Sequence, residues 1–309
     1  MNMSTSQARV VDPILTNHSR GYSQAGLIGD LLMPIVTMPT RAAKRIEFDR
    51  TAFKRPKIIR APGARIAQID VGYEGKPVAL IQRALGAKTP VEHMEEAAEV
   101  PDIDLLTEGV NTVLDVVALD REISQADAAR NAAAYAATNK EALVGDDKWS
   151  DPDSKPGQAV EEAKEVIRKR TGRRPNTLEL GASVAAALRH HPLILDRYKH
   201  VTSDTVSDAM LAQYFNVAQV LIGDAIYDDD EGVSHDVWGP DAILAYVPAK
   251  GQAAMRVPGF GYTYRLRGHP FVEPAYYEKA FRSWMNDCFD EWSPELVGPD
   301  AGFLFQNAV

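Results

Sequence analysis

Cysteine is almost absent from this 309-residue chain, with Cys288 the only one. A single thiol cannot close an intramolecular disulfide or build a multi-thiolate metal site, and such usage fits a reducing compartment. No apolar run approaches the ~20 residues that a membrane-spanning helix needs. The polar stretch from Met1 to Val11 lacks the apolar centre of a signal peptide. Net positive charge is lacking too: the formal charge is −9, whereas a general nucleic-acid binder carries a basic footprint. These absences predict a folded protein that is made and acts in the cytoplasm, or in a particle assembled there.

Recognisable reaction chemistry is equally scarce. Pro258-Gly259-Phe260-Gly261 has neither the lysine nor the following helix of a phosphate-binding loop. There is no Gly-x-Ser-x-Gly elbow. Cys288 has Asp287, Asp290 and Glu291 around it, and acidic neighbours raise a thiol's pKa and do not activate it. His190 and His191 are adjacent, so they point to different sides of a helix that Pro192 ends; helix-end polar residues are the expectation. Asp228-Asp229-Asp230-Glu231-Gly232 lacks the alternation and distal glutamate of a calcium loop, and reads as a solvated acidic loop. No catalytic residue, cofactor or metal is expected.

What is present is a strong contrast along the chain. Residues 1–40 mix polar stretches with short apolar anchors such as Ile14-Leu15 and Leu31-Leu32-Met33-Pro34-Ile35-Val36. They read as an arm with a short helix near Gln24 to Leu32 that contacts mainly a neighbouring subunit. Residues 41–65 hold nine basic side chains, Arg41, Lys44, Arg45, Arg50, Lys54, Arg55, Lys57, Arg60 and Arg65, against Glu47 and Asp49. That is +7 in a chain of −9, so the remainder carries −16. Alternation in Arg45 to Asp49 and Ile66 to Val71, with Ala61-Pro62-Gly63 between them, predicts a basic two-stranded excursion. Such a hairpin is barely stable alone and wants a surface. Only Phe48 and Phe53 interleave as aromatics, thin for a base-stacking platform; the nine basic residues are therefore expected at inter-subunit contacts.

From Leu106 the period becomes helical, with Leu106, Val110, Val113, Leu114 and Val117 on one face and an alanine-rich continuation to about residue 137. Gly145 to Gly157 is a turn-rich linker, and Gln158 to Arg170 a second helix ended by Thr171-Gly172. Shorter strands and helices then alternate: Thr177–Leu180, Ala182–His190, Val206–Phe215, Val217–Ile222, Ala242–Val247 and a strand from Tyr262. The tail ends apolar in Phe303-Leu304-Phe305 and is expected to be packed.

This order of segments resembles the major capsid proteins of tailed phages with the Hong Kong 97-like fold, an α+β architecture, and is most similar to their Mu-like branch. The matching phrases are Asp12-Pro13-Ile14-Leu15-Thr16-Asn17 through Gly21-Tyr22, Asp30 to Val36, Leu178-Glu179-Leu180-Gly181 with Ala185 to His191, and Gly298-Pro299-Asp300-Ala301-Gly302-Phe303-Leu304. The resemblance implies an N-arm at 1–40, an extended loop (E-loop) at 41–88, and a peripheral domain (P-domain) at 89–172 with a spine helix at about 106–137. An axial domain (A-domain) at 173–264 and a second part of the P-domain at 265–309 complete it. It implies self-assembly into the hexamers and pentamers of an icosahedral head around double-stranded DNA. Its partners would be a separately encoded scaffolding protein, a portal at one vertex, a decoration protein, and DNA held without sequence-specific contact. An encapsulin-like nanocompartment shell is the alternative. Some relatives crosslink a loop lysine to a neighbour's asparagine; Lys54, Lys57, Lys76 and Asn307 supply the residue types, but nothing in the sequence brings them together.

Overall fold

The computed structural model describes residues 26–47, 74–97, 104–199, 206–249 and 259–309. The chain begins with α1 (Gly29–Leu32), β1 (Ile35–Met38), β2 (Ala42–Glu47), β3 (Glu74–Ala79), β4 (Ile81–Pro90) and α2 (Val91–Ala97). The long helix α3 (Leu105–Arg130) follows, then β5 (Lys140–Ala142), α4 (Pro156–Thr171), β6 (Thr177–Gly181), α5 (Ala182–His190), α6 (Pro192–Tyr198) and α7 (Asp208–Tyr214). The remainder is strand: β7 (Gln219–Gly223), β8 (Ile226–Asp228), β9 (Ser234–Asp236), β10 (Ala242–Ala245), β11 (Gly261–Leu266), β12 (Phe271–Val272), β13 (Tyr276–Glu278), β14 (Ser283–Leu296) and β15 (Gly302–Gln306).

Helix α3 starts where the period predicts. The Asp104 carboxylate caps it, accepting from the Leu106 and Thr107 amides at 3.1 and 3.3 Å. Its 26 residues span about 39 Å at 1.5 Å each. Val110, Val113, Leu114 and Val117 are buried, packed with Val272 of β12 and Cys288 of β14. The expected continuation to residue 137 does not form. Asn131 leaves the helical conformation, and its side chain accepts from the Ala133 amide at 3.1 Å. The buried Tyr135 hydroxyl turns back to donate to the Ala129 carbonyl at 2.5 Å. A local side-chain acceptor and an aromatic anchor prevail over alanine propensity.

Strand β14 is the axis of a six-stranded sheet. Antiparallel β4 lines one edge from Ile81 opposite Trp292 to Pro90 opposite Ser283. The other edge takes β11, β12 and β13 in turn, and β1 runs parallel to β11. A second, five-stranded sheet has the order β5-β15-β10-β6-β7. Strand alternation gives it two apolar faces. Leu178, Leu180, Leu244, Phe303 and Phe305 pack with α4, α5 and Trp149; Leu221, Ile243 and Leu304 pack with Ala126 and Ala129 of α3 and with Leu32 and Met33 of the arm. Trp149 lies within the predicted linker, so that segment is anchored in the core and does not merely connect.

The terminal strand confirms a packed C-terminus, and α4 ends as predicted on Gly172, a left-handed cap with φ +70°. Each sheet draws strands from more than one of the segments named in the sequence. β5 and β15, expected with the P-domain segments, share a sheet with β6 and β10, while β11, expected in the 173–264 segment, joins β14. β4, most of it within the expected E-loop, is an edge of the six-stranded sheet. Pairing joins strands remote in sequence, and local alternation carries no record of the partner. The predicted strand at Ile66 to Val71 and the turn at Ala61 to Gly63 lie outside the described residues.

Candidate assembly site at the root of the ribbon

β2 and β3 pair antiparallel from Ala42 opposite Ala79 to Glu47 opposite Glu74, forming the root of a two-stranded ribbon. Of the nine basic residues singled out in the sequence, Lys44 and Arg45 sit in this root, opposite Pro77 and Lys76. Arg50, Lys54, Arg55, Lys57, Arg60 and Arg65 lie outside the described residues. Arg41 has a partner within its own subunit. It closes a two-pronged pair with Glu291 of its own chain, Nε to Oε2 and Nη2 to Oε1 both at 2.7 Å. Glu291 is 1% exposed and Arg41 61%, so a buried carboxylate tethers a surface guanidinium.

Neighbouring residues on β14 face opposite ways. Asp290, on the α3 side, pairs with Arg265, whose Nε lies at 2.9 Å, and has Arg121 of α3 at 3.9 Å. Arg121 also pairs with Asp30 of α1 at 3.1 Å. Gln125 donates to Asp30 at 2.8 Å and to the Thr263 hydroxyl at 2.7 Å, and Thr263 donates to the Met33 carbonyl at 3.1 Å. The buried Glu122 completes this seam. It accepts from the Ile28 and Gly29 amides at 3.0 and 2.8 Å and from the Trp238 indole at 2.8 Å. Burial pushes its carboxyl above the ordinary range, against the lowering effect of these donors.

Residues 26–38 are thereby built into their own subunit, through Glu122, Arg121 and the β1–β11 pairing. Residues 1–25 of the expected arm lie outside the described residues. The seam was missed in the sequence because Arg121, Glu122 and Gln125 stand in the polar runs Asp120-Arg121-Glu122 and Ser124-Gln125, which look like a solvated helix face. A signal existed: Glu122 stands four residues before Ala126, on the stripe that α3 buries.

The solvent face of α3 has the opposite character to the basic stretch. Its exposed positions, with the cap, are Asp104, Glu108, Thr112, Val116, Asp120 and Asp127, four of them acidic and none basic. Asp120 meets Arg83 of β4 at 2.8 Å, and Arg83 lies over the Trp292 ring at 3.4 Å.

The sequence candidates for chemistry take structural positions. His191 is buried and caps α6, its Nδ1 accepting from the Leu193 amide at 3.2 Å, with Ser154 Oγ 3.2 Å from Nε2; His190 is exposed. Asp229 organises the β8–β9 turn, accepting from the Glu231 and Val233 amides at 2.9 Å and meeting His235 at 2.8 Å. Cys288 is buried, and its thiol is pushed up to about 12, first by burial and then by Asp290.

Comparison with known proteins agrees with this architecture. The family described as Phage major capsid protein E matches residues 116–286. The major capsid protein of Burkholderia phage BcepMu is 33% identical over 305 residues, covering 98% of each chain. Among solved structures, a phage-related protein of Bordetella bronchiseptica is 41% identical with a TM-score of 0.83, covering 98% of both chains. The capsid of cyanophage P-SCSP1u shares the fold at 9% identity and TM-score 0.58, over 99% of this chain and 93% of that one. The chain belongs to the phage major capsid protein E family and has the Hong Kong 97-like fold.

Proposed function

We propose that the chain is a shell subunit that assembles with copies of itself into the hexamers and pentamers of an icosahedral phage head around double-stranded DNA. The observation that carries this reading is family likeness along almost the whole chain, 33% identity to a phage major capsid protein over 98% of each sequence. Its work is to bind and hold, not to catalyse. The encapsulin-like alternative shares the fold, but the sequence likeness lies with phage capsid proteins and not with cargo shells. The virion is the place of action, with assembly in the host cytoplasm. A scaffolding protein, a portal at one vertex and a decoration protein complete the set of partners, and the implied N-arm, E-loop, P-domain and A-domain supply the contacts. Packaged DNA meets a subunit of −16 outside the basic stretch, and like charge keeps it free to slide.

Within this reading, the stretch 41–65 of one subunit lies across the acidic face of α3 on the next. Single exposed pairs contribute roughly 0–1 kcal/mol, and repetition over every copy in a closed shell makes them decisive. The test is the triple variant R55E/K57E/R60E. The expected result is a folded subunit that assembles poorly, with assembly restored by reversing Glu108 and Asp127 to Arg on α3. Wild-type association should also weaken as salt rises, since screening shortens the reach of exposed charges. Normal empty shells that fail only to package DNA would assign the stretch to DNA instead.

A further inference from the structure

The face of the five-stranded sheet turned towards α3 contains a carboxylic acid within an apolar row. Register places Leu221, Glu179, Ile243 and Leu304 in a single row across β7, β6, β10 and β15. Three are aliphatic, and the fourth is a carboxylic acid with no exposed surface. Neither side-chain oxygen of Glu179 has a well-formed hydrogen bond; the nearest help is the Ile243 amide.

The charged groups facing it do not balance. From α3 come Arg130 and Glu122, from the turn before β10 comes Asp241, and from the segment after α3 comes the buried Tyr135. Lys140 of β5, with β15 and β10 lying between it and β6, donates to the Ala132 carbonyl at 2.7 Å. Among the described residues Arg130 is the one cation beside Glu179, and it is already engaged. Its Nε donates to Asp241 Oδ2 at 2.8 Å and its Nη1 to the Val237 carbonyl at 3.2 Å. Asp241 in turn accepts from the Asn307 amide at 2.9 Å. One guanidinium therefore serves a committed carboxylate and is left facing a second with no donor of its own. An unpaired ionised carboxylate in such a layer is too costly, and the group takes up a proton instead.

We propose that Glu179 is held as the neutral acid at the joint between the spine helix and the five-stranded sheet, and that losing its proton to solvent as pH rises loosens this joint. Burial, first among the causes, holds the Glu179 carboxyl well above the usual carboxylate range. A group raised in the folded state contributes its full stability below the unfolded value and loses it as pH rises through the folded value. The joint is thus tightest in acid and weakens on the alkaline side.

The experiment compares the purified full-length wild type with E179Q, a neutral near-isostere, by thermal melting from about pH 5 to about pH 9. The expected result is a wild-type midpoint that falls by at least ~3 °C more than that of E179Q across this range. Parallel profiles would overturn the proposal, as would an E179Q midpoint well below wild type at every pH, which would mean an ionised Glu179 paired with Arg130. An infrared readout decides the matter without a stability change. A protonated carboxyl band present at neutral pH in wild type and missing from E179Q supports the neutral acid, and its absence from wild type overturns it.

Discussion

Arg41 and Glu291 stand 250 positions apart in the chain and meet through two parallel contacts of 2.7 Å, tying the ribbon root to the strand that runs through the centre of the six-stranded sheet. The pair anchors the chain at the start of β2, which begins at the next residue. Removing the guanidinium leaves a buried carboxylate with its nearest cation gone. R41A should lower the melting temperature and speed proteolysis within 48–73 more than K44A does. Indistinguishable melting and cleavage of the two variants would show that the pair does not hold the root.

Helix α3 carries the contacts between both sheets and the arm. Val113 lies in its middle, buried against the sheet. V113P removes one helical hydrogen bond and clashes with the preceding turn, at a cost of ~3 kcal/mol or more. Insoluble or unassembled protein is the expected outcome, seen by sedimentation and negative-stain imaging. Normal shells from V113P would show that an unbroken α3 is not required.

Lys164 is 2% exposed, and its ammonium group binds Glu161 at 2.6 Å, the Asn216 carbonyl at 3.3 Å and the Phe215 carbonyl more closely. It thereby closes the end of α7, where the carbonyls have no partner within the helix. K164M keeps the stem and deletes the donors, so buried acceptors are left unpaired. A loss of ~1–3 kcal/mol is expected from chemical denaturation. An unchanged midpoint would mean that water replaces the ammonium.

Cys288 should be inert in the native protein. With its thiol pushed up to about 12, almost no thiolate exists at neutral pH, and the thiolate is the reactive form. Mass spectrometry after alkylation at neutral pH should show no modification until denaturant is added. Rapid native labelling would place the thiol in contact with solvent.

The same cysteine marks how far sequence reading reaches. The three acidic neighbours Asp287, Asp290 and Glu291 predict a raised thiol pKa, and it is raised, but the larger cause is burial. Of the two that fix the root and the seam, Asp290 shares the thiol's face while Glu291 turns away to Arg41. Spacing along a strand supplies that alternation, but it does not say which face meets α3.

Local pattern by itself determined the apolar stripe of α3, the Gly172 stop of α4, the strand β6, the packed C-terminus, the basic stretch and the family, because periodicity, capping and composition act over a few residues at a time. Partner choice was decided only in three dimensions. The sequence says nothing of β15 lying between β5 and β10, of Asp30 and Glu122 locking the arm onto α3, or of Arg130 standing between Asp241 and Glu179. Each of these joins residues dozens to hundreds of positions apart, and a lone polar residue in an apolar pattern looks the same whether a partner awaits it or not. Burial and pairing free energies belong to the assembled core, and the core exists only once the chain has folded.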